Sequence, residues 1–195
     1  MEIQKYISES KKSDWKGCLM LSMSGEVSRM VAAWSKNNIP DDCLAKDGRE
    51  DYCHCTLLYG FPQHTEFEDV ERASMIGYTP ESMLSITLGK IKRFHANSNR
   101  PESDVLVIEI KPNEQLNALH HDLKQQFNVK LDYPNYNPHI TIAYVKPGAL
   151  AELDGSTIFD DFEAYSRTMT YSTGPSDGRS RRVITFDTFA SENGR

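Results

Sequence analysis

The chain of 195 residues predicts an α+β fold made by duplication, with two antiparallel sheets flanking a central cleft and helices outside. Two observations carry that prediction. The pattern His-x-Thr occurs twice, as His54-Cys55-Thr56 and His139-Ile140-Thr141, each inside a short apolar run and each with a tyrosine (Tyr59, Tyr144) five residues beyond the histidine. The histidines are 85 residues apart, and the strand-like runs before them are offset by nearly the same distance, so the repeat is one of structure. Within each half a helical pattern lies between strand-like runs, and such mixed halves pack as sheet against helix.

In the first half, Lys16 to Met23 is a short apolar run suited to a buried strand. Ser24 is placed to cap a helix with Glu26 in its first turn, and Val27, Met30, Val31 and Trp34 form its apolar face. Pro40 lies just past its end, and a polar connection from Asp41 to Asp51 leads to the first motif. The second half repeats this order. Asp104 to Ile110 is rich in β-branched residues, Pro112 and Asn113 turn the chain into a helix with Leu116, Leu119, Leu123 and Phe127 on one face, and a loop from Asp132 to Pro138 delivers the second motif. A short helix over Glu66 to Ile76 and a strand over Ser85 to Phe94 continue the first half. A helical turn near Gly148 to Leu153 and strands around Phe159 to Tyr171 and Val183 to Phe186 continue the second. The segments from His95 to Ser103 and Thr173 to Gly178 read as exposed loops. One domain spans 1–195, and 172–195 forms a C-terminal extension with a loop and a final strand.

Alternation along a strand turns His54 and Thr56 to one face, and His139 and Thr141 likewise. Two such strands side by side converge two acid/base groups and two hydroxyl donors on one small anion, the outline of a phosphodiester site. The opposite face takes Leu57, Tyr59, Ile140, Ile142 and Tyr144, packed beneath the helices, while the small Gly60 and Ala143 leave room on the cleft side.

Composition narrows the function. Hydrophobic residues make up 38% and charged residues 26%, ordinary for a globular protein, and no apolar run has the length of a membrane-spanning helix. With no signal-peptide pattern at Met1 to Lys5, the expected location is the cytoplasm. The net charge of −6 disfavours long duplex nucleic acid but leaves room for a small phosphate ligand beside a local basic patch. Arg179, Arg181 and Arg182 could supply that patch, or could equally be a solvated turn. Cys53-His54-Cys55 invites a metal reading, but alternation sends both thiols away from His54 and no Cys-x-x-Cys pair is present, so reduced buried thiols are expected and no metal or cofactor.

Paired His-x-Thr strands in a duplicated β-α-β frame resemble the two-histidine (2H) phosphoesterase superfamily over nearly the whole chain. Within it, Trp15-Lys16-Gly17, His54-Cys55-Thr56-Leu57-Leu58-Tyr59 and Tyr136-Asn137-Pro138-His139-Ile140-Thr141 look most like the bacteriophage anti-CBASS cyclic-oligonucleotide phosphodiesterases. The resemblance implies metal-independent cleavage of cyclic di- and trinucleotide immune signals in the host cytoplasm, with His54 and His139 as acid/base pair and Thr56 and Thr141 holding the phosphate.

That assignment suits the chemistry. Imidazole titrates near neutral pH, so one histidine can be neutral while the other is protonated. Threonine hydroxyls can donate to non-bridging oxygens, and the branched side chain is stiff on a strand. Bases are expected on aromatic faces, for which Trp15, Tyr52, Phe94 and Tyr136 are the candidates, with Arg182 as a further ligand contact. Each aromatic could instead pack in the core or rim. His64, His95, His120 and His121 lack both the threonine partner and the strand. Rival readings are a 2H enzyme of RNA ends or 2′,3′-cyclic phosphates, and a nucleotide-binding module without turnover.

Overall fold

The computed structural model describes residues 17–62, 65–75, 84–98, 100–129, 135–166, 168–172 and 181–185. Among them, β1 (Gly17–Ser22), α1 (Gly25–Asn38), β2 (Leu44–Arg49), β3 (His54–Phe61) and α2 (Phe67–Ser74) precede β4 (Leu84–Phe94). β5 (Asp104–Ile110), α3 (Glu114–Gln126), β6 (His139–Val145), β7 (Glu163–Ser166), β8 (Thr168–Ser172) and β9 (Arg181–Thr185) follow. Trp15, Lys16, His64, Arg179 and the Thr173–Gly178 loop lie outside the described residues.

Both helices of the repeat start as the sequence predicts. The Ser24 hydroxyl accepts from the Val27 N–H at 3.4 Å, and the Asn113 side chain accepts from the Leu116 N–H at 2.9 Å, each satisfying an amide that the first turn leaves without a partner. Val27 and Val31 on α1, and Leu116, Leu119 and Leu123 on α3, are buried in one core with the inner faces of the strands.

The strands form a curled antiparallel sheet in the order β7-β4-β5-β6-β3-β1-β8-β9, with β2 also on β6. The two expected sheets are therefore continuous, joined where the motif strands β3 and β6 meet. Two expectations about connectivity are corrected. Asp41 to Asp51 is more than a connection, because β2 within it pairs with the far end of β6 (Leu44 opposite Val145, Arg49 opposite Ala143). The continuations also change lobes: β4 follows the first motif yet pairs with β5, and β8 follows the second yet pairs with β1. Each half thus lends a strand to the other, while β7 remains on β4.

Both motif strands carry a β-bulge at the same place, one residue after the threonine. On β3, Leu19 pairs with Leu58 and Met20 with Thr56, so Leu57 is skipped; on β6, Leu106 pairs with Ala143 and Val107 with Thr141, so Ile142 is skipped. A bulge resets the alternation of side chains. Leu57 and Leu58 are both buried, as are Ile142 and Ala143. Ala143 therefore belongs to the core and not to the cleft, and Tyr59, 49% exposed, does not pack beneath a helix. Tyr144 likewise stands outside the core, opposite Val105. The bulge on β3 is held from the core side. His120 of α3 donates from Nδ1 to the Leu57 carbonyl at 2.6 Å, and Tyr136 donates its hydroxyl to the Thr56 carbonyl at 2.9 Å. The His120 and Tyr136 rings stack at 3.9 Å and 2°.

The β4–β5 hairpin is anchored at its loop end by a buried ion pair. Arg93 donates to Asp104 at 2.7 Å with both side chains 3% exposed, and also to the Ala149 carbonyl. Burial alone would push the Asp104 carboxyl up. The N–H donors of Gly148 and Ala96 and the Arg93 guanidinium outweigh that and hold it below its ordinary value. This network ties β4 to the chain that follows β6.

Two outcomes follow from these packing arrangements. Asp104→Asn strips the buried Arg93 of its counter-charge and is expected to cost about 3–5 kcal/mol in urea unfolding; a loss near zero would show that water reaches the pair. Desolvation, the larger cause, and the neighbouring Lys124 and His121 hold His120 below the usual imidazole value against the opposing Leu57 bond. The unfolded chain therefore takes up the proton first, so stability is full above about pH 6.5 and declines as pH falls through the folded value. The urea midpoint should fall over that acidic range, and less steeply in His120→Asn.

Candidate active site

The site is built on the seam between β3 and β6, where Cys55 pairs with Ile140. Extending this antiparallel register by one residue each way sets His54 opposite Thr141 and Thr56 opposite His139. Side chains directly opposite are about 5 Å apart at Cβ and diagonal ones about 7–8 Å. The four motif side chains thus form a rhomb, histidines on one diagonal and threonines on the other, about an approximate two-fold axis between Cys55 and Ile140. The bulges at Leu57 and Ile142 end the pairing immediately beyond it.

Both histidines are held by the same device. His54 Nδ1 bonds the Tyr52 carbonyl at 2.5 Å, and His139 Nδ1 bonds the Asn137 carbonyl at 2.8 Å. A carbonyl only accepts, so in each ring Nδ1 carries a proton and the tautomer is set. Nε2 is left as the group that gives or takes a proton. Among the described residues the hydroxyls of Thr56 and Thr141 have no internal hydrogen-bond partner, which leaves them available to an anion.

Around this rhomb the two lobes differ. Beside His54, the Tyr52 ring lies nearly parallel to the imidazole at 5.3 Å and 26°, and its hydroxyl is tied to Ser22 and, at 2.6 Å, to Thr170. Beside His139, Phe94 meets the ring edge-on at 4.9 Å and 85°. A cavity of about 210 Å³ opens there, lined by Lys92, Phe94, Val107, Glu109 and Pro138 as well as His139. Desolvation is the main cause that holds His139 below the ordinary imidazole value; the Asn137 bond opposes it and the charge of His54 adds to it. His139 is thereby biased towards its neutral form.

The structure sorts the ligand-contact candidates. Phe94 stands at the cleft, 37% exposed. Tyr52 faces His54 and is anchored behind it, which makes it a buttress for that imidazole. Tyr136 is a strut, with one ring face taken by His120 and its hydroxyl spent on Thr56. Burial pushes that hydroxyl far above its usual value, so it stays protonated and donating. Arg182 lies over the Phe67 ring at 3.7 Å and pairs with Glu68 on α2. Its strand is separated from β3 by β8 and β1, about 14 Å at ordinary strand spacing. Lys92 and Glu109 were missed, although the alternation that ties Lys92 to Phe94, and the lone carboxylate inside the apolar run of β5, mark both.

Cys53 and Cys55 are buried on the face opposite His54, and burial pushes their thiols up to about 12 and about 11. Neither is suited to serve as a thiolate ligand beside the imidazole. Among the described residues no three His, Cys, Asp or Glu side chains are grouped to hold a metal, and no helix is long and apolar enough to cross a membrane.

The family model described as the 2′-5′ RNA ligase superfamily matches residues 41–168, which contain both motifs. Solved structures share the fold. E. coli LigT complexed with 3′-AMP is 16% identical with a TM-score of 0.64, the match covering 88% of this chain and 94% of that one. TT0787 of Thermus thermophilus is 14% identical with a TM-score of 0.61, covering 88% and 98%. Usb1 of Kluyveromyces marxianus is 12% identical with a TM-score of 0.55, covering 89% and 99%. No curated protein matches the chain. With two thirds of its length matched by the family model and both His-x-Thr motifs facing each other across one seam, the chain belongs to the 2′-5′ RNA ligase superfamily of 2H phosphoesterases.

Proposed function

We propose that the protein is a metal-independent phosphodiesterase that opens the 3′-5′ bonds of cyclic di- or trinucleotide immune signals, and so counters bacterial CBASS defence. The observation that carries the catalytic part is the rhomb itself: two imidazoles with Nδ1 locked on a carbonyl, diagonally across two threonines whose hydroxyls are uncommitted. A phosphate over the seam would receive a hydrogen bond from each threonine, where negative charge gathers during displacement. His139, biased towards its neutral form by desolvation, accepts the proton of the attacking hydroxyl. The acid role falls to His54, which protonates the departing oxygen. If the ribose 2′-hydroxyl attacks, an O2′–P bond forms, the P–O5′ bond breaks and one proton moves to His139 while another leaves His54. The cyclic substrate is supported by the small cleft beside one histidine, by the net charge of −6, which suits a compact ligand better than a long polyanion, and by the sequence motifs.

A second reading, action on RNA ends or on 2′,3′-cyclic phosphates, is favoured by the description of the family model. It would use the same rhomb, with water opening the cyclic phosphate.

Incubation with cyclic di- and trinucleotides in excess EDTA distinguishes the two. Conversion to linear products supports the first reading, and their terminal phosphate identifies the nucleophile; cleavage of 2′,3′-cyclic phosphates alone supports the second. His54→Ala and His139→Ala are each expected to lower kcat on the order of 10²- to 10⁴-fold while the fold, read by circular dichroism, is retained. Full turnover in both variants would remove the site. The acid limb of kcat/KM should reflect deprotonation of His139, with activity falling as pH drops through a value below about 6.5; a limb above 7 would exchange the assigned roles.

A further inference from the structure

The open side of the cleft differs chemically from its counterpart. On the first lobe the residue opposite His54 is Ser22, which together with Thr170 is bonded to the Tyr52 hydroxyl. On the second lobe the residue opposite His139 is Glu109, and Lys92 stands opposite Val107, the neighbour of Thr141. Neither Lys92 nor Glu109 has a protein partner among the described residues. Both border the cavity that Phe94 and His139 share.

Glu109 is also steered. Its side chain leans across the sheet towards β4, over Gly89: a Cβ at position 89 would lie 3.1 Å from Glu109 Cβ and 3.6 Å from its Oε2. Glycine inside a strand is unfavourable unless another group approaches the backbone closely, and here the carboxylate stem is that group. The carboxylate thus lies to the β4 side of its own strand, away from the imidazole, and shares the cavity wall with Lys92. From the seam to β5 is about one and a half strand spacings, roughly 7 Å, a distance that one nucleoside can bridge from its phosphate to its base edge.

We infer that the Lys92–Phe94–Glu109 cavity is a guanine-selective subsite for the nucleoside attached to the scissile phosphate on the His139 side. This rests on the phosphodiesterase reading of the seam. A carboxylate offers two adjacent acceptors and no donor. The Watson–Crick edge of guanine presents two adjacent donors, the ring N1–H and the exocyclic amine, followed by the O6 acceptor. Glu109 pairs with the two donors and Lys92 donates to O6. Adenine has one donor on that edge and its ring N1 lone pair would face the carboxylate; uracil and cytosine likewise offer only one. Phe94 supplies the apolar wall, and among the described residues the first lobe has Ser22, tied to the Tyr52 hydroxyl, where the second has Glu109.

A cyclic dinucleotide that contains one guanosine and one adenosine joined by 3′-5′ bonds tests this within one molecule, because its two bonds give linear products separable by chromatography. The wild-type protein is expected to cut one of the two bonds preferentially, and to turn over the all-guanine cyclic dinucleotide faster than the all-adenine one in kcat/KM. A bidentate base contact corresponds to roughly 5- to 150-fold discrimination. Glu109→Gln, which keeps the size but replaces one acceptor by a donor, should shrink both preferences towards unity. Lys92→Met should weaken the guanine preference less. If cyclic dinucleotides are cleaved without a guanine preference, or with one that Glu109→Gln leaves unchanged, the subsite is wrong while the phosphodiesterase reading stands. If no cyclic dinucleotide is cleaved, the same comparison on guanosine and adenosine 2′,3′-cyclic phosphates decides it: faster guanosine turnover that Glu109→Gln removes supports the subsite, and equal rates overturn it.

Discussion

The site depends on one backbone pairing, Cys55 with Ile140, between two strands that come from different halves of the chain. An antiparallel pair has a local two-fold axis, so a single register match brings four side chains into a fixed rhomb. A slip of β3 by one residue against β6 would turn His54 and Thr56 into the core and Cys55 into the cleft, and so break up the rhomb. The core resists such a slip, because Cys55, Leu57, Ile140 and Ile142 are fully or almost fully buried. Hydrophobic packing on one face therefore sets the geometry of the motif side chains on the other. The bulges confine the contact between β3 and β6 to the motif residues, and the edge of β6 is taken up beyond them by β2.

Support for the seam is distributed behind it. His120 and Tyr136 reach the carbonyls of Leu57 and Thr56, so the backbone of the first threonine is held from the core side by two side chains of the second half. The strands exchanged between lobes do related work: β4 brings Lys92 and Phe94 to the second histidine, and β8 brings Thr170 to the hydroxyl of Tyr52 beside the first. The Arg93–Asp104 pair sits next to Phe94 in the chain and pins the end of β4 to the segment after β6. Where the aromatic ring stands at the cleft is thus coupled to a buried ionic network rather than to a loop.

Much of this frame was legible because it is local. Ser24 and Asn113 are strong helix caps, Asp104–Ile110 is a strand by composition, and two His-x-Thr runs in matching surroundings imply a shared face. The remainder depends on neighbours that the sequence does not name. β2, with Lys46, Asp47 and Gly48 at its centre, has no strand pattern of its own and exists because the edge of β6 needs a partner. The bulges at Leu57 and Ile142 are invisible in a run of apolar residues, yet they decide that Ala143 is core and that Tyr59 is not beneath a helix. Aromatic roles were the least legible. Tyr52, Phe94 and Tyr136 are alike as aromatic rings, and the partners of the two tyrosine hydroxyls together with the exposure of Phe94 separate a buttress and a strut from a residue at the cleft.

Duplication poses a chemical problem that the surroundings of the two histidines resolve. A symmetric rhomb gives both imidazoles the same carbonyl anchor and the same opposing threonine, whereas general acid–base cleavage needs one protonated and one neutral. The difference has to come from residues outside the repeat. His54 lies flat against Tyr52, whose hydroxyl is already satisfied by Ser22 and Thr170. His139 meets Phe94 edge-on, an apolar contact on the side from which water would otherwise solvate its cation, and desolvation is the leading cause of its lowered pKa. The residue that would most directly restore the charge of His139, Glu109, is drawn away over Gly89. Phe94 and Glu109 thus distinguish the surroundings of two otherwise equivalent imidazoles, and both border the cavity beside His139, so the side chains that set the histidines apart also shape the space open to a ligand.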